Sequence, residues 1–246
     1  MNKPAFKLYQ DGIEKKLQQA FQQEKEITLA ANLIADSLSN QGWIYASGTG
    51  HSHLIAEEIF YRAGGFARVI PILDPELMLH QNASGSTALE RKEGYAAQLL
   101  KEFKITPNDV FIISSNSGRN AVSIEMAQLA KSSGAKVIGL TNLSHSRSVK
   151  SRHSSGLKLY ELSDIYLDNF GEIGDASIQL TGLETRVGAT STVIGVALLQ
   201  AIMVQAATTL ISRGFKPEIF SSSNSDVGEA ENEALLTKYK PLVKGL

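Results

Sequence analysis

Five short apolar runs, each parted from the next by a stretch long enough for a helix, set what this chain can fold into. They are residues 43–46, 68–73, 110–114, 136–141 and 165–168. No tight Asn-Gly or Gly-Gly turn joins neighbouring runs, so hairpins are not expected and the connections read as helical crossovers. The pattern predicts an α/β fold, a doubly wound parallel five-stranded sheet with helices on both faces in a three-layer, flavodoxin-like arrangement. Pro71 has no N–H for a ladder, which places its run at a sheet edge or a strand end.

Helical periodicity fills the gaps. Residues 6–38 repeat Ile13, Leu17, Ala20, Phe21, Ile27, Ala30, Ile34 and Leu38 at spacings of three and four, an extra N-terminal helix (residues 5–39) expected outside the α/β core. Residues 53–63 form a helix closed by Gly64 and Gly65, and residues 90–103 and 120–133 are helical again. The stretch 74–87 is less regular, with Ser84 to Thr87 read as a mobile loop. Residues 144–154 read as a short helix or loop and 171–188 as a glycine-punctuated segment. A long apolar helix at 190–212 precedes a polar turn and a weak last helix. One domain over residues 1–246 is expected, with its core at about 40–215 and a tail at 216–246.

Composition removes several function classes. A formal net charge of −1 gives no electrostatic case for nucleic acid or an anionic membrane. The absence of cysteine excludes disulfides, thiolate nucleophiles and thiolate metal sites. Residues 193–211 have the length of a membrane span, but Gln200, Gln205 and two threonines favour a buried core helix. Residues 1–26 hold no continuous apolar stretch, so a cytoplasmic protein is expected.

Two strand-to-helix turns carry the chemistry: Ser47-Gly48-Thr49-Gly50-His51-Ser52-His53 and Ser114-Ser115-Asn116-Ser117-Gly118-Arg119-Asn120. Small hydroxylic residues there leave backbone N–H groups bare at a helix N-terminus, where the dipole favours an anion. Ser115 and Ser117, with the amides of Gly118, Arg119 and Asn120, are placed to surround phosphate oxygens. Helix capping by Ser117 and strand termination by Ser115 explain the same residues. In the first turn Ser47, Thr49 and Ser52 offer hydroxyls, and Gly48 and Gly50 permit unusual backbone geometry. Arg119 is expected to point to solvent. His51 and His53 do not share a helix face and are not read as a metal pair.

These turns resemble the Gly/Ser turn and the later Ser-x-Ser-Gly turn of the sugar isomerase (SIS) domain family, here Gly48-Thr49-Gly50-His51-Ser52 and Ser115-Asn116-Ser117-Gly118. The whole chain is similar to an uncharacterised SIS subfamily grouped with phosphosugar isomerases, through Leu77-Met78-Leu79-His80, Glu90-Arg91, residues 187–192 and Ser223-Asn224. The resemblance implies a phosphosugar ligand with the second turn as phosphate cradle. Its binding residues are then Ser47, Gly48, Thr49, Ser52, Ser115, Asn116, Ser117, Gly118 and Asn120.

Ala56-Glu57-Glu58 is similar to the Ala-Glu-Glu of sedoheptulose 7-phosphate isomerases, which implies Glu58 as the proton-moving base. Leu54 stands where that relative has a zinc-liganding histidine, and Ser191-Thr192 fall near the place of a late catalytic histidine, so no metal and no other cofactor are expected. Glu184, just before the long apolar helix, is the rival base. His80 is the candidate for opening the sugar ring, since its ordinary pKa suits proton exchange near neutrality. The expected function is aldose–ketose isomerisation of a phosphosugar through an enediol. A phosphosugar lyase or etherase, and a non-catalytic sensor acting on a protein partner, are the alternatives. A homodimer or higher homo-oligomer is implied, formed through the first and the long apolar helices.

Overall fold

The computed structural model describes residues 3–246 and has the expected parallel sheet. Strands β1 (Ile44–Gly48), β2 (Val69–Ile72), β3 (Val110–Ser114), β4 (Lys136–Thr141) and β5 (Ile165–Asp168) pair in the order β2-β1-β3-β4-β5. Every pairing is parallel. Strand β2 lies at the edge, where Pro71 is tolerated. The chain steps from β1 out to β2 and returns past β1 to β3, so the winding reverses between β1 and β3.

The helices are α1 (Ala5–Phe21), α2 (Glu24–Ser39), α3 (His53–Glu58), α4 (Leu79–Leu89), α5 (Tyr95–Leu99), α6 (Ala121–Ser132), α7 (Leu143–Ser148), α8 (Leu159–Leu162), α9 (Ser191–Ser212) and α10 (Asp226–Tyr239). The strands' period of two divides the core into two layers. Ile44, Ala46, Val110, Ile112, Ile138, Leu140 and Leu167 face α2, α3 and α9. Tyr45, Phe111, Ile113 and Val137 face α5, α6 and α8. Helix α9 is apolar enough to span a bilayer, with a mean hydropathy of 1.9. It nevertheless buries Ile194, Leu198, Leu199, Ile202, Met203, Ala206 and Leu210 in the first layer.

Several expectations need correction. The N-terminal helix is two helices, broken at Gln22 and Gln23. Gln23 leaves the helix because its side-chain amide pairs with the β5 backbone, donating to Asp168 O and accepting from Asp168 N, each at 2.8 Å. The second half does not lie outside the core, since Ala30, Ala31, Ile34 and Ala35 of α2 are fully buried. Residues 84–87 are helical within α4 rather than a loop, and Ser86 anchors them by donating to Leu77 O at 2.7 Å. Helix α3 stops at Glu58, before the left-handed Tyr61 (φ 42°). Within residues 90–103 only α5 and a single 3₁₀ turn are helical.

The glycine-punctuated segment holds a hairpin, β6 (Ala176–Ile178) antiparallel to β7 (Val187–Ala189). Its loop, residues 179–186, lacks a tight-turn signature, so the pairing could not be read from a two-residue signal. Tyr9 of α1 fixes the hairpin by donating to Ala189 O at 2.7 Å. The tail folds back as well: Ile219 bridges Phe66, and Phe220 and Tyr239 pack with Ala67.

Candidate functional site

Gly48 and Ser114 are register partners at the carboxyl ends of β1 and β3. The two hydroxyl-rich turns therefore leave the sheet side by side, at the point of winding reversal where sheets of this kind bind ligands. Each turn uses a glycine in the left-handed region, Gly50 at φ 57° and Gly118 at φ 56°, a conformation costly for other residues.

The second turn is held rigidly from β4 and β5. Ser115 N–H donates to Leu140 O at 2.9 Å, Thr141 Oγ1 to Ser115 O at 2.7 Å, and Asn142 N–H to Asn116 O at 3.0 Å. Asn169 Nδ2 donates to Asn116 Oδ1 at 2.9 Å, so the Asn116 carbonyl is committed to the scaffold. Inside the turn Gly118 N–H donates to Ser115 Oγ at 3.2 Å.

The capping alternative for Ser117 does not hold. The residue before α6 is Asn120, which makes no side-chain cap bond, and the Ser117 hydroxyl has no hydrogen-bond partner among the described residues. The amides of Arg119 and Asn120 are likewise without internal acceptors among the described residues. A hydroxyl and two amides thus remain open at the start of a twelve-residue helix.

Arg119 does not point to solvent as expected. It is half-buried, and its Nε is sealed from water without a partner. Arg152, on the segment after α7, donates from Nη1 to Asn120 Oδ1 at 3.0 Å. Burial, then repulsion from Arg119 and Arg91, hold the Arg152 guanidinium below its usual pKa, with Glu90 opposing. Burial and then Arg119 also hold His145 of α7 below the ordinary histidine value. The rim of the second turn is therefore a crowd of positive charge, of the kind that an anion relieves.

In the first turn Ser47 is buried and Ser52 N–H donates to Thr49 O at 3.1 Å. Thr49 Oγ1 donates to Glu90 Oε2 at 2.6 Å, while Glu90 O accepts from Val122 N–H of α6 at 3.1 Å. One residue thus links the first turn to the start of α6, which the second turn leads into, and leaves a carboxylate at the first. His53 spends Nδ1 on the Gly50 carbonyl, and His51 is exposed.

The candidate catalytic groups are dispersed. Glu58, at the far end of α3, pairs with Arg62 and accepts from Gln200 Nε2 of α9 at 3.3 Å. Glu184 is exposed in the β6–β7 loop. His80 is exposed on α4. Its neighbour Leu79 lies close beside Gly50. Sequence reasoning missed Glu90 and Arg152 as members of the site. Glu90-Arg91 offered a signal as a shared motif, whereas nothing local marks Arg152.

The sequence model of the SIS domain family matches residues 8–142. A UPF0309 protein from Halalkalibacterium halodurans is 48% identical over 88% of this chain and 90% of its own length. Another, from Listeria monocytogenes, is 44% identical over 84% of this chain and 83% of its own. Among solved structures, phosphoheptose isomerase GmhA from Neisseria gonorrhoeae superposes with a TM-score of 0.53 at 19% identity, covering 82% of this chain and 97% of that one. The sugar isomerase domain of an RpiR transcription factor from Sphaerobacter thermophilus gives 0.51 at 14% identity, covering 97% of each. The Vibrio vulnificus NanR protein, solved with ManNAc-6P, gives 0.50 at 18% identity over 85% of this chain and 64% of that one. At these identities the structures share a fold.

Proposed function

This chain belongs to the SIS domain family, and from that premise we propose that it is a cytoplasmic phosphosugar isomerase. The observation that carries the reading is the Gly48–Ser114 pairing, which sets an open anion cradle beside a second polar turn. The phosphate sits on Ser117, the Arg119 and Asn120 amides and the start of α6, with Arg119 and Arg152 supplying charge. The sugar extends over Ser47, Gly48, Thr49 and Ser52. Fold relatives that are a phosphoheptose isomerase and a ManNAc-6P complex support that ligand class.

Isomerisation needs a base that takes the C2 proton from an open-chain aldose while the C1 carbonyl oxygen is protonated to give the enediol. A proton then returns to C1 as the O2 hydroxyl gives up its own and becomes the ketose carbonyl. Among the described residues Glu90 is the carboxylate that accepts a hydrogen bond from the first turn, and we assign it the leading position for that transfer. Glu58 and Glu184 remain candidates, brought to the site by a second copy or by loop closure. His80, next to Leu79 at the first turn, protonates the ring oxygen during opening.

A homodimer completes the arrangement. Val204 and Ile211 of α9 are 66% and 63% exposed, and Leu29 of α2 is 43% exposed, an apolar stripe suited to a second copy. The fit to the RpiR sugar isomerase domain favours a second reading, in which the chain senses a phosphosugar without turning it over.

The deciding experiment follows solvent deuterium entering C2 across a phosphosugar panel. Exchange with a product heavier only by the incorporated deuterium supports the isomerase, and loss of a substituent supports a lyase. Tight binding without exchange supports the sensor. Unimpaired exchange in Glu90→Gln, Glu58→Gln and Glu184→Gln alike would remove the catalytic assignment.

A further inference from the structure

Beside the cradle, three metal-binding side chains from separate segments meet around a gap. Glu93 comes from the turn before α5, Glu125 from α6, and His153 from the segment between α7 and α8. Their nearest ligand atoms all lie within 4.8 Å of one another. His153 Nε2 stands 3.7 Å from Glu125 Oε1 and 3.9 Å from Glu93 Oε2, too far for hydrogen bonds. The His153 side chain is only 10% exposed, and its Nε2 has no hydrogen-bond partner among the described residues. A nitrogen of a side chain that is nine-tenths buried thus aims at the space between two carboxylates.

We propose that this is a divalent-cation site of the zinc and manganese class, with water completing the coordination. A cation about 2.0–2.2 Å from each donor draws the three together by small side-chain rotations. The surroundings already supply the outer contacts that orient such ligands. Ser154 donates its amide (2.6 Å) and its hydroxyl (2.8 Å) to Glu93, and Gly94 N–H donates to Glu125 Oε1 at 2.6 Å. His153 Nδ1 lies 2.8 Å from Ser155 Oγ, placed to donate its proton there and free Nε2 for the metal. The longer contact from Ser155 N–H to Nδ1, at 3.2 Å, belongs to the opposite, metal-free tautomer.

The role is structural. The site pins the segment that carries Arg152, and with it the guanidinium on Asn120, to α6 and to the turn that follows Glu90. It stands whether or not the bound sugar is turned over.

Chelator-treated protein titrated with zinc and manganese chlorides, by calorimetry and thermal melting, tests the site. One cation should bind per chain and raise Tm. His153→Gln and Glu93→Gln, each checked for folding by circular dichroism, should weaken binding roughly 10–100-fold or more. Glu93 is exposed, so its variant keeps the test valid even where His153→Gln folds poorly. Failure of the wild-type protein to bind either metal at millimolar concentration overturns the site, as does wild-type affinity in either folded variant.

Discussion

Thr49 donates its hydroxyl to Glu90 at 2.6 Å and thereby ties the turn after β1 to a residue that also holds the first turn of α6. The two halves of the cradle are thus not independent loops. A ligand that orders one meets the other already positioned, which lowers the cost of binding.

Removing that donor should be felt in stability. Thr49→Val leaves a partly buried carboxylate short of a partner, an expected loss of about 1–3 kcal/mol. Thr49→Ser should recover most of it. Urea unfolding of the two variants makes the comparison, and equal stability of Thr49→Val and wild type would break the proposed link.

Helix α9 is capped from a distance. Asp175 accepts from Thr190 N–H at 3.0 Å, Ser191 N–H at 2.8 Å and Ser191 Oγ at 2.6 Å, placing negative charge at the helix N-terminus. Asp175→Ala should cost about 1–3 kcal/mol. A change below about 0.5 kcal/mol would show that Thr190 and Ser191 recap the helix unaided.

Acid should loosen α1. Lys16 donates to Glu172 at 2.9 Å, a contact that holds the Glu172 carboxyl below its ordinary pKa. A depressed carboxyl pKa gives stability that is full above the unfolded value and lost as pH falls through the folded one. The loss therefore begins as pH falls through the ordinary glutamate value, is complete below the depressed folded one, and should be flattened in Glu172→Gln. Amide exchange of α1 against pH measures it, and an identical profile in the variant would exclude the pair as its source.

His145 should report on the cradle's charge. Burial, then Arg119, depress its pKa, so its contribution to stability is full above the ordinary histidine value and declines as pH falls below that value. Arg119→Gln should raise the His145 pKa in an NMR titration, and a bound phosphosugar should do the same. An unmoved titration in Arg119→Gln would mean that the guanidinium does not face the ring.

The sheet was legible because parallel strands buried on both faces read as bare apolar runs, and both turns were legible because hydroxyls and glycines cluster where such runs end. The break at Gln23 was not, since either side of it keeps helical periodicity and the cause is a contact with Asp168 far along the chain. The β6–β7 hairpin escaped for a similar reason, its loop being long and without a two-residue turn signal. Ser84 to Thr87 looked like a loop by composition, yet packing anchors Ser86 on Leu77. Within the site, Arg152 is brought to Asn120 by tertiary folding alone. The carboxylates illustrate the same limit: the local motif singles out Glu58, yet it turns toward Arg62 and Gln200, whereas Glu90 is the one bonded to Thr49.

The central claim is that a sugar phosphate binds at the turn from Ser115 to Asn120. Its most direct test is thermal melting of the wild-type chain against phosphosugars paired with their unphosphorylated sugars, repeated in Ser117→Ala and Arg119→Gln. At least one phosphosugar should raise Tm while its unphosphorylated partner does not, and both variants should shrink the shift. No shift with any phosphosugar at saturating concentration, or a shift of undiminished size in both variants, would contradict the account.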